Sequence, residues 1–261
     1  MHTDHGLEVL DGAEPFSADG GAHGALVLHG LTGSPQSMRG LARSLAEAGF
    51  SVELPRLPGH GTSVDDMATT SFADWSAAAD HAYSQLATRC TEVVVIGLSM
   101  GATLAAWLAA RHPEIAALVM INGALASADP AVRAGLEGAL AQGQTRIPGP
   151  GNDIADPNET ELAYPEVPLR SLLSLFDALD ELQACLPAIH CPSLVIVSEQ
   201  DHVVPPESSA HFAAVVGGPV ERMVLSRSYH VATLDDDHAE LEARVVDFAT
   251  RVTARSAEAS E

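Results

Sequence analysis

Short apolar runs rich in Val, Ile and Leu recur along this chain with a helix-length segment between each pair, and no other feature restricts its fold as strongly. Runs of this kind lie at 25–29, 51–54, 92–96, 117–121, 193–197 and 221–225, and the intervening helical patterns at 37–48, 72–88, 99–111, 169–184, 207–215 and 239–254. Strands buried on both faces read as continuous apolar runs, and parallel strands need a crossover helix between them. Because such crossovers are right-handed, the pattern predicts a doubly wound α/β fold, a mainly parallel sheet flanked by helices. At 261 residues with no linker-like tract, residues 1–261 are expected to form a single domain.

The rhythm fails once. Residues 123–168 hold an Ala/Leu-rich segment (130–141), a Gly/Pro-dense run (143–157) and then Glu161–Tyr164 before the helical period resumes. An insertion of this length in a compact domain is expected to be functional, and its apolar positions Val132, Leu136, Leu140, Ile147, Ile154 and Leu162 call for something to cover. We read it as a lid.

Charge narrows the partners. Acidic residues outnumber basic ones 35 to 13, a formal charge of −22, so the surface repels phosphate backbones and anionic membranes, and nucleic acid is excluded as a partner. Every one of the 13 cations is Arg, which removes Schiff-base and P-loop lysine chemistry. The cysteines Cys90, Cys185 and Cys191 fit neither a disulfide framework nor zinc-ligand spacing, and no metal or cofactor is expected. The N-terminal residues lack a signal-peptide pattern, and no apolar stretch approaches the roughly 18 residues a membrane span requires. The expectation is a cytoplasmic protein, monomer or homodimer, without stable membrane insertion.

The chemistry centres on Gly97-Leu98-Ser99-Met100-Gly101, a G-x-S-x-G motif entered by one predicted strand and left by a predicted helix. On such a turn Ser99 stands in strained geometry at a helix N-terminus, whose free N–H groups face the reacting centre. A serine needs a base and an orienting carboxylate, which in a sheet of this kind follow in the order Ser, acid, His. Asp201 lies just beyond the strand at 193–197 and His230 just beyond the strand at 221–225. Glu199 and Asp235–Asp237 are rival acids, and His202 and His238 rival bases. Glu199 falls at the strand end, and Asp235–Asp237 suit the start and cap of the last helix. The oxyanion of an acyl-transfer intermediate needs two donors: Met100 N–H, after the nucleophile, and Leu31 N–H, in the loop His29-Gly30-Leu31-Thr32-Gly33. His29 reads as a structural residue of that loop.

With these residues placed, the chain resembles the bacterial monoacylglycerol lipases and related carboxylesterases of the α/β-hydrolase superfamily. The resemblance runs nearly end to end, through Gly12–Phe16, Ser34-Pro35-Gln36-Ser37-Met38-Arg39, Leu54–Thr62, Asp74-Trp75, Glu161–Tyr164, Asp201–Pro206 and Ser228–Asp235. It implies an α/β-hydrolase fold, hydrolysis of a small-molecule ester or monoacylglycerol substrate, a lid over an acyl tunnel, and Glu161 as the residue that hydrogen-bonds the glycerol hydroxyls. Two departures stand out: Leu31 occupies a usual Phe position, and Ala102 replaces a second Gly after the elbow.

Overall fold

The computed structural model describes residues 7–259. Seven strands form one sheet in the order β1-β3-β2-β4-β5-β8-β9, where β1 is Phe16–Ala18, β2 His23–Leu28, β3 Ser51–Leu54, β4 Glu92–Leu98, β5 Ala117–Ile121, β8 Ser193–Ser198 and β9 Val220–Leu225. All neighbours pair in parallel except β1, which runs antiparallel along β3. The crossover segments are α1 (Arg39–Glu47), α2 (Val64–Met67), α3 (Phe72–Ala87), α4 (Met100–Ala109), α6 (Leu169–Gln183) and α7 (Pro206–Val215), with α8 (His238–Ala259) closing the chain.

Alternate residues of each central strand feed different cores, which is why these strands look apolar throughout. Leu26, Val95, Met120 and Val195 pack with Trp75 of α3, Leu104 of α4 and Leu182 of α6 on one face. Val27, Ile96, Ile121 and Ile196 pack with Leu41 and Leu45 of α1 and with Leu241 and Phe248 of α8 on the other. Trp75, Phe212 and Phe248 are fully buried, so truncating any one of them to Ala costs about 3–5 kcal/mol.

The predicted strands and helices are present, β3 and β5 with the predicted ends and the others with shifted ones, and the differences have local causes. The segment predicted as one helix from 37 begins as a 3₁₀ turn, Pro35–Met38, before α1, and α8 continues past 254 to Ala259. Strand β1 is three residues long and draws its partner from over thirty residues away, so no local pattern announces it. The insert holds helix α5 (Pro130–Ala141), opened by Asp129 accepting the Ala131 and Val132 N–H groups, and a small antiparallel pair, β6 (Arg146–Pro148) with β7 (Glu166–Pro168). That pair was not predicted, because prolines edge both strands and the Gly/Pro-dense run between them reads as loop.

Candidate active site

Strand β4 passes into α4 through Ser99, whose φ of 56° and ψ of −117° lie outside the regions a side chain ordinarily allows. The turn is tight because the flanking glycines permit it. A Cβ on Gly97 would stand 2.1 Å from the carbonyl carbon of Gly101, and a Cβ on Gly101 would stand 2.2 Å from the Leu28 carbonyl oxygen. The Ser99 N–H is held by Ile121 O at 2.9 Å. Met100 opens the helix, so its N–H lies outside the helical ladder. The loop after β2 comes close: a Cβ on Gly30 would be 3.4 Å from Ser99 Cβ, and Leu31, Ser99 and Met100 line one cavity. Ala102 is fully buried, and its methyl faces Gly123, where a second Cβ would meet it at 2.9 Å. The extra methyl is matched by a missing one.

The loops after β8 and β9 bring Asp201 and His230 together. Asp201 Oδ2 lies 2.8 Å from His230 Nδ1, while its Oδ1 accepts the Val203 and Val204 N–H groups at 2.8 Å each. The Asp201 side chain is 1 % exposed and that of His230 9 %. A carboxylate anchored in this way fixes the imidazole with its proton on Nδ1 and leaves Nε2 as the acceptor. His230 lines the same cavity as Ser99, a space of about 280 Å³. Asn122, directly after β5 with φ of 44°, holds the His230 main chain: its Nδ2 donates to His230 O at 2.8 Å and to Ser198 Oγ at 3.0 Å, and its Oδ1 accepts the Ser198 N–H.

The rival groups serve other ends. Glu199 is exposed and His238 Nδ1 lies 2.8 Å from Asp235 O. Asp235 and Asp237 immediately precede α8, yet their carboxylates turn away from it, which corrects the capping expectation. Asp237 accepts the N–H groups of Arg227 and Ser228, and Asp235 accepts those of Tyr229, Ala155 and Asp156. Buried carboxylates satisfied by several N–H donors brace the His230 loop. His202 is largely exposed and pairs with Asp153. His29 is structural as expected: Nε2 accepts the Leu57 N–H, Nδ1 donates to Gly30 O, and burial with His60 beside it holds its pKa down at about 3.

Glu161 reaches the cavity from the insert. Its Oε1 lies where a Cβ on Gly33 would be only 2.6 Å away, and burial raises its pKa to about 7, against the opposing pull of His230 and Ser37. Its main chain is pinned on both sides. The Glu161 N–H donates to Asn152 Oδ1, while Gln36 donates to Thr160 O and accepts the Leu162 N–H. Tyr164 anchors the end of this stretch, its hydroxyl donating to Gly59 O and accepting the Thr62 N–H.

The insert supplies Ile147, Pro148, Pro150, Gly151 and Asp153 to the cavity wall beside Glu161, and Leu172, Leu175, Phe176 and Leu179 of α6 extend it with apolar surface. The expected covering positions divide. Ile147 lines the cavity and Ile154 is buried, but Val132 is 54 % exposed and no residue of α5 is buried. Asn122, Asp153 and the bracing role of Asp235 were not found from sequence, for each depends on which distant loops the fold brings together.

Residues 26–144 match a family model described as the alpha/beta hydrolase fold. A thermostable monoacylglycerol lipase of Bacillus sp. (strain H-257) is 44 % identical over 241 residues, 92 % of this chain and 95 % of that protein. The chain belongs to the α/β-hydrolase family. A carboxylesterase of Bacillus subtilis (strain 168) is 25 % identical to this α/β-hydrolase over 90 % of the chain and 95 % of its own. A structure from work on LipS and LipT, two metagenome-derived lipolytic enzymes, matches it with a TM-score of 0.88 at 40 % identity, covering 94 % of this chain and all of the other. A monoacylglycerol lipase of Paleococcus ferrophilus shares the fold with a TM-score of 0.75 at 21 % identity, over 92 % of this chain and 99 % of the other. Among the described residues no helix is long and apolar enough to cross a membrane.

Proposed function

We propose that this chain is a serine ester hydrolase acting on monoacylglycerols and releasing a fatty acid and glycerol. One observation carries the reading: a strained serine at a helix N-terminus and an imidazole oriented by a buried carboxylate face one largely apolar cavity, into which Glu161 projects. Ser99 attacks the ester carbonyl while His230 takes its proton, and Asp201 keeps the imidazole oriented and stabilises its charge. The N–H groups of Leu31 and Met100 hold the oxyanion, each worth on the order of 3 kcal/mol. His230 then protonates the departing glycerol, and water repeats the sequence to free the acid. The acyl chain lies along Leu172, Leu175, Phe176 and Leu179, beneath the insert acting as a lid.

Glu161 separates this reading from that of a general carboxylesterase. Its carboxylate accepts hydrogen bonds from the two free glycerol hydroxyls, each contributing about 1 kcal/mol net once the exchange with water is counted. The experiment compares a monoacylglycerol with the methyl ester of the same acid. Glu161→Gln and Glu161→Ala are expected to lower kcat/KM for the monoacylglycerol by about one to two powers of ten, with little change for the methyl ester. Equal losses on both esters, or no loss on either, return the assignment to carboxylesterase.

A further inference from the structure

Asp153 sits in the Gly/Pro-dense part of the insert, yet its carboxylate is bound to both loops that carry the catalytic pair. Its Oδ2 accepts the main-chain N–H of His230 at 3.1 Å and that of His202, the residue after Asp201, at 3.2 Å. Its Oδ1 lies 2.8 Å from His202 Nδ1, and its own carbonyl accepts the Val231 N–H at 3.1 Å. The side chain is 13 % exposed, so these donors have little water to turn to. Two residues on, the traffic reverses: Asp235, from the His230 loop, accepts the N–H groups of Ala155 and Asp156 at 2.8 and 3.0 Å.

We infer that Asp153 is a positioning residue for the hydrolysis, which makes the alignment of His230 with Asp201 depend on the seating of the insert. The inference rests on the serine-hydrolase reading above. One carboxylate oxygen bridges the main chain of the base and the main chain next to the acid, so it sets the separation of two loops whose side chains must meet at 2.8 Å. Without it the His230 N–H loses its acceptor and the carboxylate bridge between the two loops is gone, while Asn122, Asp235 and Asp237 still hold the His230 loop from its other sides. A displacement of about 1 Å at a reacting group costs on the order of a hundredfold in rate, and because the Asp153 carboxylate is taken up by the His202 and His230 groups, its loss acts on the rate more than on substrate binding.

The test measures Asp153→Ala and Asp153→Asn by steady-state kinetics per active site, titrated with a fluorophosphonate, together with the rate of phosphonylation itself. Asp153→Ala is expected to lower both kcat and the phosphonylation rate at least about tenfold with KM within about threefold, and Asp153→Asn, which keeps an acceptor oxygen, to recover most of the loss. A merely structural residue would reduce the number of titrated sites and leave the turnover of each unchanged. Turnover of Asp153→Ala within twofold of wild type, or a loss that Asp153→Asn leaves untouched, overturns the inference. If Asp153→Ala does not fold, amide exchange of the wild-type protein decides: the inference requires the His230 and His202 N–H groups to be protected, and free-loop exchange at both overturns it. Labelling of the wild-type protein at Ser99 reports on the hydrolase reading separately, since it needs no comparison with Asp153.

Discussion

The Glu161 carboxylate rests on Gly33, so closely that a Cβ added at position 33 would stand 2.6 Å from Glu161 Oε1. Gly33 therefore makes room behind the carboxylate that lines the cavity. The contact is with the far end of a flexible side chain, so Gly33→Ala is expected to leave the fold intact and push the carboxylate from its place. Hydrolysis of a monoacylglycerol should fall by about tenfold, while the matching methyl ester is little affected. Paired kinetics on the two esters check this, and an unchanged ratio would show that the position of the carboxylate over Gly33 is irrelevant to substrate choice.

Glu161 also gives the preference for glycerol esters a pH dependence. Burial raises its pKa to about 7, so it is protonated below that pH and a carboxylate above it. The charged form accepts hydrogen bonds more strongly, so the kcat/KM ratio of monoacylglycerol to methyl ester should rise with pH through a single ionisation near 7. Any ionisation common to both substrates divides out of the ratio. The same titration in Glu161→Gln should be flat, and a step that persists in that variant assigns the ionisation elsewhere.

Ser99 holds its strained turn at a cost in stability. Ser99→Ala removes the nucleophile and should abolish hydrolysis to the residual level set by binding and the oxyanion donors, with activity within about tenfold of wild type ruling Ser99 out as nucleophile. Ser99→Gly is equally inactive on this account but relieves the positive φ. After the greater chain entropy of unfolded glycine is offset, a net gain of about 1 kcal/mol remains, or roughly 2–4 °C in Tm. Thermal unfolding of the two variants side by side measures it. A glycine variant less stable than the alanine one would mean that the elbow carries no strain.

What could be read from the sequence follows how local each signal is. Strands β3 and β5 have the predicted ends, β5 as an apolar run buried on two faces, and the grouping of Asp201 and His230 beside the cavity that Ser99 lines is legible because a strand-to-helix serine turn dictates where an acid and a base would follow. Strands β1, β6 and β7 are three residues each and exist only through distant partners. Asn122, Asp153 and Asp235 act through main-chain groups of other loops, so nothing adjacent in the chain betrays them, and Asp235 carries the look of a helix start. The α5 positions Val132, Leu136 and Leu140 have helical spacing but none is buried, since periodicity gives a helix its apolar side without supplying something to cover it.

The insert has one firmly held part and one loosely held part, and the division predicts where it opens. Residues 153–164 are fixed from both sides: the side chains of Asp235 and Gln36 bond main-chain groups of this stretch, and the Tyr164 hydroxyl bonds the main chain of Gly59 and Thr62. Helix α5 has no buried residue and is tied to α6 by Arg133, which pairs with Asp177 and Asp180 while also bonding Glu137 of its own helix. Such ion pairs near the surface are weak and are screened once the Debye length shrinks to about 3 Å at 1 M salt. Arg133→Ala should therefore free α5 without unfolding the domain. Limited digestion by a protease of broad specificity is expected to nick residues 130–146 several times faster in the variant than in wild type at low salt, with Tm changed by no more than about 2 °C, because the global core is untouched. Wild type in 1 M salt should approach the cleavage rate of the variant. Cleavage falling first within 153–164, or nicking no faster in Arg133→Ala, would mean that the insert moves as one body and that Arg133 is not its tether.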